Sequence, residues 1–290
     1  MKIFGGEFVP YKHAAEIGDL WKHLPLCEVL KIENPTRYFE TNSAFAEYQL
    51  DNTSQQKYGV LLAYKEDGSK KLHKSSYFQI LDTIGFNHKH HYLGSPGLAM
   101  TILHNNKVNF FFHDIEKEPL DNIIKFSYKL NIQDKVSIVC GDSIEFFLRD
   151  EYCLYPNDFI FLDPYMLFEI NTSGNNFFDV FSKTCKNGVK TFLWYGYDNL
   201  NEKDAITKKL QIIANDHSIL INSFNIWQNS MVEDSCSINP GVPGCGIAVA
   251  NLSQASISSI KNFMYIIQDL YKHAVYLNKN ASLCVSHLIL

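Results

Sequence analysis

Three carboxylates stand where apolar runs of this chain stop. Asp114 closes Val108-Asn109-Phe110-Phe111-Phe112-His113, Asp142 follows Val136-Ser137-Ile138-Val139-Cys140-Gly141, and Asp163 follows Phe159-Ile160-Phe161-Leu162. In an open parallel sheet, ligands bind outside the carboxyl ends of the strands, near the point where strand order reverses. A carboxylate after the second strand can accept from two ribose hydroxyls, and one after the third can accept from an adenine amino group. Together they would suit a nucleoside-bearing cofactor. Asp163 opens Asp163-Pro164-Tyr165, which joins a hydrogen-bond acceptor, a turn of fixed φ and an aromatic ring at the end of a core strand. Acids at such positions also serve as helix caps, and that use stays open for each of them.

Strands have to deliver these acids to one edge. Tyr38-Phe39-Glu40, the three runs above and Lys190-Thr191-Phe192-Leu193-Trp194-Tyr195 are continuous apolar stretches, as expected of a parallel sheet covered on both faces. Helical spacing separates them at 120–130 and 202–213, and Gly94-Ser95-Pro96 starts a further helix, with Ser95 as N-cap and Pro96 in the first turn. The alternation predicts an α/β, doubly wound, mostly parallel sheet. Two late strands, 219–227 and 246–250, follow with a Gly241-Val242-Pro243-Gly244 turn before the second, which predicts an antiparallel edge. A last helix runs over 256–273. Residues 51–92 are polar and rich in Lys, Ser and His, and read as a small helical insertion within a main domain formed by 1–50 and 93–290.

The 290 residues, 46% of them hydrophobic, suffice for one large core. A net charge of -5 excludes a generally basic nucleic-acid protein, so a polyanion would need a local basic patch. The seven cysteines are scattered without a Cys-x-x-Cys pair, which argues for free thiols in a reducing compartment and against zinc or a disulfide framework. No apolar run reaches the roughly 18 residues of a membrane span, and the expectation is a cytoplasmic protein with no membrane partner. Asn87-His88-Lys89-His90-His91 reads as a solvated basic loop, since its spacing sets no metal ligands on one helical face.

Several short motifs, in order, resemble the S-adenosylmethionine-dependent large-subunit ribosomal RNA adenine-N6 methyltransferases of the RlmJ type. They are His13-Ala14 with Asp19-Leu20-Trp21-Lys22-His23, then Tyr38-Phe39-Glu40-Thr41, Tyr48-Gln49-Leu50 and Tyr92-Leu93-Gly94-Ser95-Pro96, the most specific of them. Gly141-Asp142-Ser143, Leu193-Trp194-Tyr195 and Gly246-Ile247-Ala248-Val249 continue the series. The resemblance implies a Rossmann-like methyltransferase fold, S-adenosylmethionine as cofactor, and methyl transfer to adenine N6 of ribosomal RNA before subunit assembly; the oligomeric state stays open, with a monomer favoured. It also implies that His23, Asn42, Ser95, Asp114, Asp142, Ser143 and Asp163 contact the cofactor. Asp163 would be the catalytic acceptor, and Phe8, Pro164, Tyr165 and Met166 would meet the substrate. The adenine amine is a poor nucleophile because its lone pair is delocalised into the ring. An acceptor carboxylate beside a carbonyl aimed by proline would polarise its N–H bonds, and an aromatic ring would stack on the flipped base.

The chain departs from this family on the active face. Asp163-Pro164-Tyr165-Met166 lacks the second proline of Asp-Pro-Pro-Tyr and places Met166 at the stacking position. The glycine loop is replaced by Ser43-Ala44-Phe45-Ala46, and a Gly-Asn pair by Ala15-Glu16. Cofactor loops there normally use glycine to let backbone approach the ligand, and Phe45 is bulky. Two other functions therefore stay open: a catalytically inactive relative that binds nucleic acid or protein, and a DNA adenine methyltransferase.

Overall fold

The computed structural model describes residues 14–67, 70–149, 153–229, 241–273 and 282–290. The chain begins with α1 (Ile17–Glu33), β1 (Arg37–Glu40) and the short β2 (Glu47–Gln49). Helices α2 (Ser54–Tyr58), α3 (Val60–Glu66), α4 (Ser76–Ile84) and α5 (Phe86–Lys89) follow, then β3 (His91–Leu93). The alternating part runs α6 (Ser95–Leu103), β4 (Asn109–Asp114), α7 (Lys117–Lys129), β5 (Val136–Cys140), α8 (Ser143–Leu148), β6 (Asp158–Leu162), α9 (Phe177–Lys186) and β7 (Lys190–Tyr197). It ends with α10 (Leu200–His217), β8 (Ile221–Asn229), β9 (Gly244–Ala250), α11 (Gln254–His273) and β10 (Ser282–Ile289).

Among the described residues the main sheet has the order β10-β8-β9-β7-β6-β1-β4-β5. Strands β5, β4, β1, β6 and β7 pair in parallel. The order runs outward from β1 in both directions, so the switch point lies between β1 and β6, next to Glu40 and Asp163. Strand β9 is antiparallel to both β7 and β8, and β10 is antiparallel to β8. The antiparallel side is thus present but wider than expected. The two anticipated late strands do pair, β9 lies inside the sheet, and β10 forms the edge.

Helices cover both faces. On one, α1, α6, α7 and α11 enclose Trp21, Leu24, Leu98, Phe110, Phe112 and Ile123; on the other, α8, α9 and α10 enclose Phe147, Phe181, Leu193 and Leu210. Aromatic side chains of β1, β4 and β6 interlock within these layers: Tyr38 stacks on Phe159, and Phe39 on Phe111 at 4.6 Å. Helix α1 is buried along most of its length and carries Pro25 inside. Asn34, with φ 42°, ends it in the left-handed region and returns its N–H to the Leu30 carbonyl.

Residues 51–92 carry α2 to α5, and the hairpin β2–β3 fastens their two ends. Val60, Leu62, Leu72, Tyr77, Phe78 and Phe86 from this stretch belong to the same apolar cluster as α1 and the sheet. Tyr271 of α11 donates to the Tyr58 carbonyl at 2.5 Å. The start of α6 differs in detail from the sequence expectation. Gly94 is the N-cap and Ser95 is already helical, because the Ser95 hydroxyl is used elsewhere.

Candidate cofactor and acceptor site

Strand β1 ends on Glu40, which is fully buried. It accepts from the Tyr38 hydroxyl at 2.8 Å and from the Ser95 hydroxyl at 2.5 Å. Burial holds its carboxyl well above the usual range, although both hydrogen bonds pull the other way. The chain then crosses the strand ends closely: Thr41 N–H donates to the Phe161 carbonyl of β6, and Ser43 N–H to the His113 carbonyl of β4. Ala44 follows with φ 52°, a left-handed conformation that favours glycine. An alanine thus holds a conformation that glycine adopts more readily. The glycines lie on the opposing wall: a Cβ on Gly94 would collide with the Phe45 carbonyl oxygen, and one on Gly97 with that of Ala46.

Asp114 is buried at the end of β4. One oxygen accepts from Ala44 N–H at 3.0 Å and the other from Glu116 N–H at 2.9 Å. Asp142 caps α8: its Oδ1 accepts from Ile144 N–H at 2.8 Å, and its Oδ2 from the Asn171 amide at 2.8 Å. Ser143 is the first, buried residue of that helix. The helix-cap use left open by the sequence is thus realised at Asp142. Asn42 is half-buried and accepts from the Thr41 hydroxyl at 2.8 Å.

Asp163 lies just past β6, and its Oδ2 accepts from the Lys22 ammonium at 2.7 Å. Lys22 also reaches Asp19 at 3.1 Å and sits over the Trp194 ring at 5.0 Å. Asp19 is itself fixed by the Ala15 N–H at 2.7 Å, and Ala15 holds φ 66°. Burial raises the Asp163 carboxyl above its ordinary value, and the Lys22 ammonium offsets only part of that rise. Burial acts against Lys22, but Asp163 and Asp19 outweigh it and keep the ammonium charged. For Asp19, burial is likewise outweighed, by Lys22 first, and its carboxyl stays below the ordinary range. His23, the neighbour of Lys22 on α1, is buried at 2% exposure beneath this group. Its Nδ1 pairs with the Tyr92 hydroxyl at 2.7 Å, which contacts that of Tyr77 at 3.0 Å. Burial pushes the imidazole down to about 3.

The named residues therefore fall into three knots along the strand ends: Asp163–Lys22–Asp19, Glu40–Ser95–Tyr38, and Asp114 with Asp142 and their loop partners. His23 and Ser95 turn inward to the protein. Pro164 is buried, whereas Tyr165 and Met166 are exposed at 79% and 50%. Phe8 lies outside the described residues. Sequence reasoning does not find Lys22, Asp19, Glu40 or Asn171 as site residues. The first three sit in motifs of the resemblance, which is the available signal; for Asn171 there is none.

Strand order, the reversal beside β1 and the antiparallel β9 define a Rossmann-like methyltransferase fold. Neither a protein-family model nor a curated protein matches the sequence. Among solved structures the chain is similar in fold to a Legionella pneumophila protein of the DUF519 family, with a TM-score of 0.68 at 20% identity over 94% of this chain and 98% of that one. Looser overlaps include a Bacillus cereus O-methyltransferase in complex with S-adenosylhomocysteine (TM-score 0.40, 13% identity, 79% and 80% covered). A Streptomyces achromogenes O-methyltransferase, TomG, in complex with S-adenosylmethionine overlaps similarly (0.38, 11%, 79% and 79%). Neither of these two bears on function. Among the described residues, no helix is long and apolar enough to cross a membrane.

Proposed function

We propose that the protein transfers a methyl group from S-adenosylmethionine to the N6 amine of adenine in RNA, with ribosomal RNA as the substrate class. The observation that carries this is Asp163: a carboxylate beside the switch point, one oxygen held by Lys22, followed by a buried proline that fixes the turn. Lys22 keeps the carboxylate oriented and paired, and Oδ1 is the oxygen that would accept from the amine N–H. The remaining acids suit the cofactor in kind. Asp114 would take the ribose hydroxyls and Asp142 the adenine amino group, and the left-handed turn at Ala44 would let the loop backbone lie close to the ligand. When bound, S-adenosylmethionine supplies an activated methyl group on a sulfonium, so the protein has mainly to position the partners.

Calorimetric titration with S-adenosylhomocysteine and a methyl-transfer assay on unmodified ribosomal RNA test this. Asp163→Ala should leave S-adenosylhomocysteine binding nearly intact, since Asp163 is one of several cofactor contacts, and lower the rate about a hundredfold or more. Asp163→Asn, which retains an acceptor oxygen, should keep part of the activity. Binding without transfer by the parent chain would leave the second function, a non-catalytic binding protein. One observation favours that alternative: Asp114 and Asp142 each already accept hydrogen bonds from the chain on both oxygens.

A further inference from the structure

Asn171 sits in the connection between β6 and α9, and its side chain is clamped at both ends. The amide oxygen accepts from the Ser173 N–H and the Asn175 N–H, each at 3.0 Å. The Asn171 backbone N–H donates to the Asn175 carbonyl at 2.8 Å, and Gly174 N–H returns to the Asn171 carbonyl at 3.0 Å. Gly174 has φ 82°, which completes the turn. With its oxygen held by two N–H donors, the amide can present only its NH2 to Asp142, and it does so at 2.8 Å on Oδ2. The other oxygen of Asp142 is committed to the α8 cap.

An amide NH2 is a planar, conjugated donor, the same kind of group as the exocyclic amine of adenine. We propose that Asn171 is a built-in occupant of the adenine subsite. Its NH2 fills the hydrogen bond on Asp142 that a nucleoside cofactor would make, and the cofactor must displace it. This rests on the cofactor assignment given above. The displacement has a second effect, because Asn171 closes the segment that starts at Asp163. That segment exposes Tyr165, Met166, Phe168 and Ile170 around the buried anchor Leu167, an apolar lip where an acceptor base would arrive. Release of the Asn171 tether frees the far end of the lip while Leu167 keeps its middle in place. Cofactor binding thereby precedes and prepares capture of the acceptor, and Asn171 sets the affinity for the adenine moiety.

The test is calorimetric titration of S-adenosylhomocysteine, and of its 6-oxo analogue S-inosylhomocysteine, into the parent, Asn171→Ala and Asn171→Asp. The aspartate keeps the acceptor oxygen for Ser173 and Asn175 but repels Asp142, so it opens the subsite with the turn intact. Both variants should bind S-adenosylhomocysteine about tenfold more tightly than the parent, the scale of one hydrogen bond to a charged group. The gain should shrink for the analogue, which has no amino group to offer Asp142; a merely structural role for Asn171 would not separate the two ligands. Equal or weaker binding by both variants, with a parent that binds, overturns the role of Asn171 and leaves the cofactor assignment standing. No binding by any of the three overturns both.

Discussion

Lys22 and Asp163 stand 141 residues apart in sequence and 2.7 Å apart in space. Each side chain is 12% exposed, so neither charge is well hydrated without the other. Lys22→Met should cost about 3–5 kcal/mol, because it strands the Asp163 and Asp19 carboxylates together, and urea denaturation would read it. A variant as stable as the parent would show that water reaches the pair freely. The buried imidazoles make a separate prediction. Burial pushes His23 down to about 3 and His113 to about 4 from 6.5. Their neutral forms are favoured in the fold, so their contribution is fully present above pH 6.5 and is lost as pH falls below it, when the unfolded chain takes the protons. At pH 5 the loss should be about 2 kcal/mol per histidine, seen as a lower urea midpoint than at pH 7.5. His113→Gln should flatten that dependence. The left-handed alanines act in the other direction. Ala15→Gly and Ala44→Gly should each raise stability, by up to about 1 kcal/mol in thermal denaturation, as the steric cost at φ 66° and 52° is removed.

The loop after β1 and the start of α6 meet only because Gly94 and Gly97 lack side chains. Gly97→Ala should force the Ala46 carbonyl away and destabilise the protein by about 1–3 kcal/mol, with weakened nucleoside binding as the specific sign. The helices of 51–92 share the main apolar cluster, so deleting them should give an unfolded product by circular dichroism and not a folded core. What the sequence made legible follows from this packing. The parallel strands were plain because a strand buried on both faces has no polar alternation, as in Phe159-Ile160-Phe161-Leu162. Helix α1 was not, because burial nearly all round leaves no amphipathic stripe and Pro25 reads as a break. Strand β10 was hidden by Ser282, Ser286 and His287 among its apolar residues. The placement of the three acids at strand ends was legible from the apolar runs that precede them. Their partners in the fold, Lys22, Ala44 N–H and Asn171, come from distant segments, and no local pattern marks them.

Charge is distributed unevenly over the whole molecule. Residues 51–92 hold six lysines and four acids, a balance of +2, in a chain of net -5, so the rest carries -7. If RNA is the partner, this segment is where phosphates would meet the protein. Lys71→Glu with Lys74→Glu should weaken RNA binding across sequences and reduce the slope of log affinity against log salt by about one for each phosphate no longer neutralised. An unchanged slope would place the phosphate-binding groups elsewhere. The position of β9 has a consequence of another kind, in the order of synthesis. On the ribosome β8 emerges before β9, yet its place in the sheet exists only on the far side of β9, which in turn pairs with β7. The nascent chain can close β5, β4, β1, β6 and β7 as they appear, but β8 has no neighbour until residues 244–250 have followed it out. During that interval a nine-residue strand stays unpaired, with apolar side chains such as Phe224 and Ile226 that are buried in the finished protein. An unpaired apolar strand of this kind is open to off-pathway association until β9 arrives.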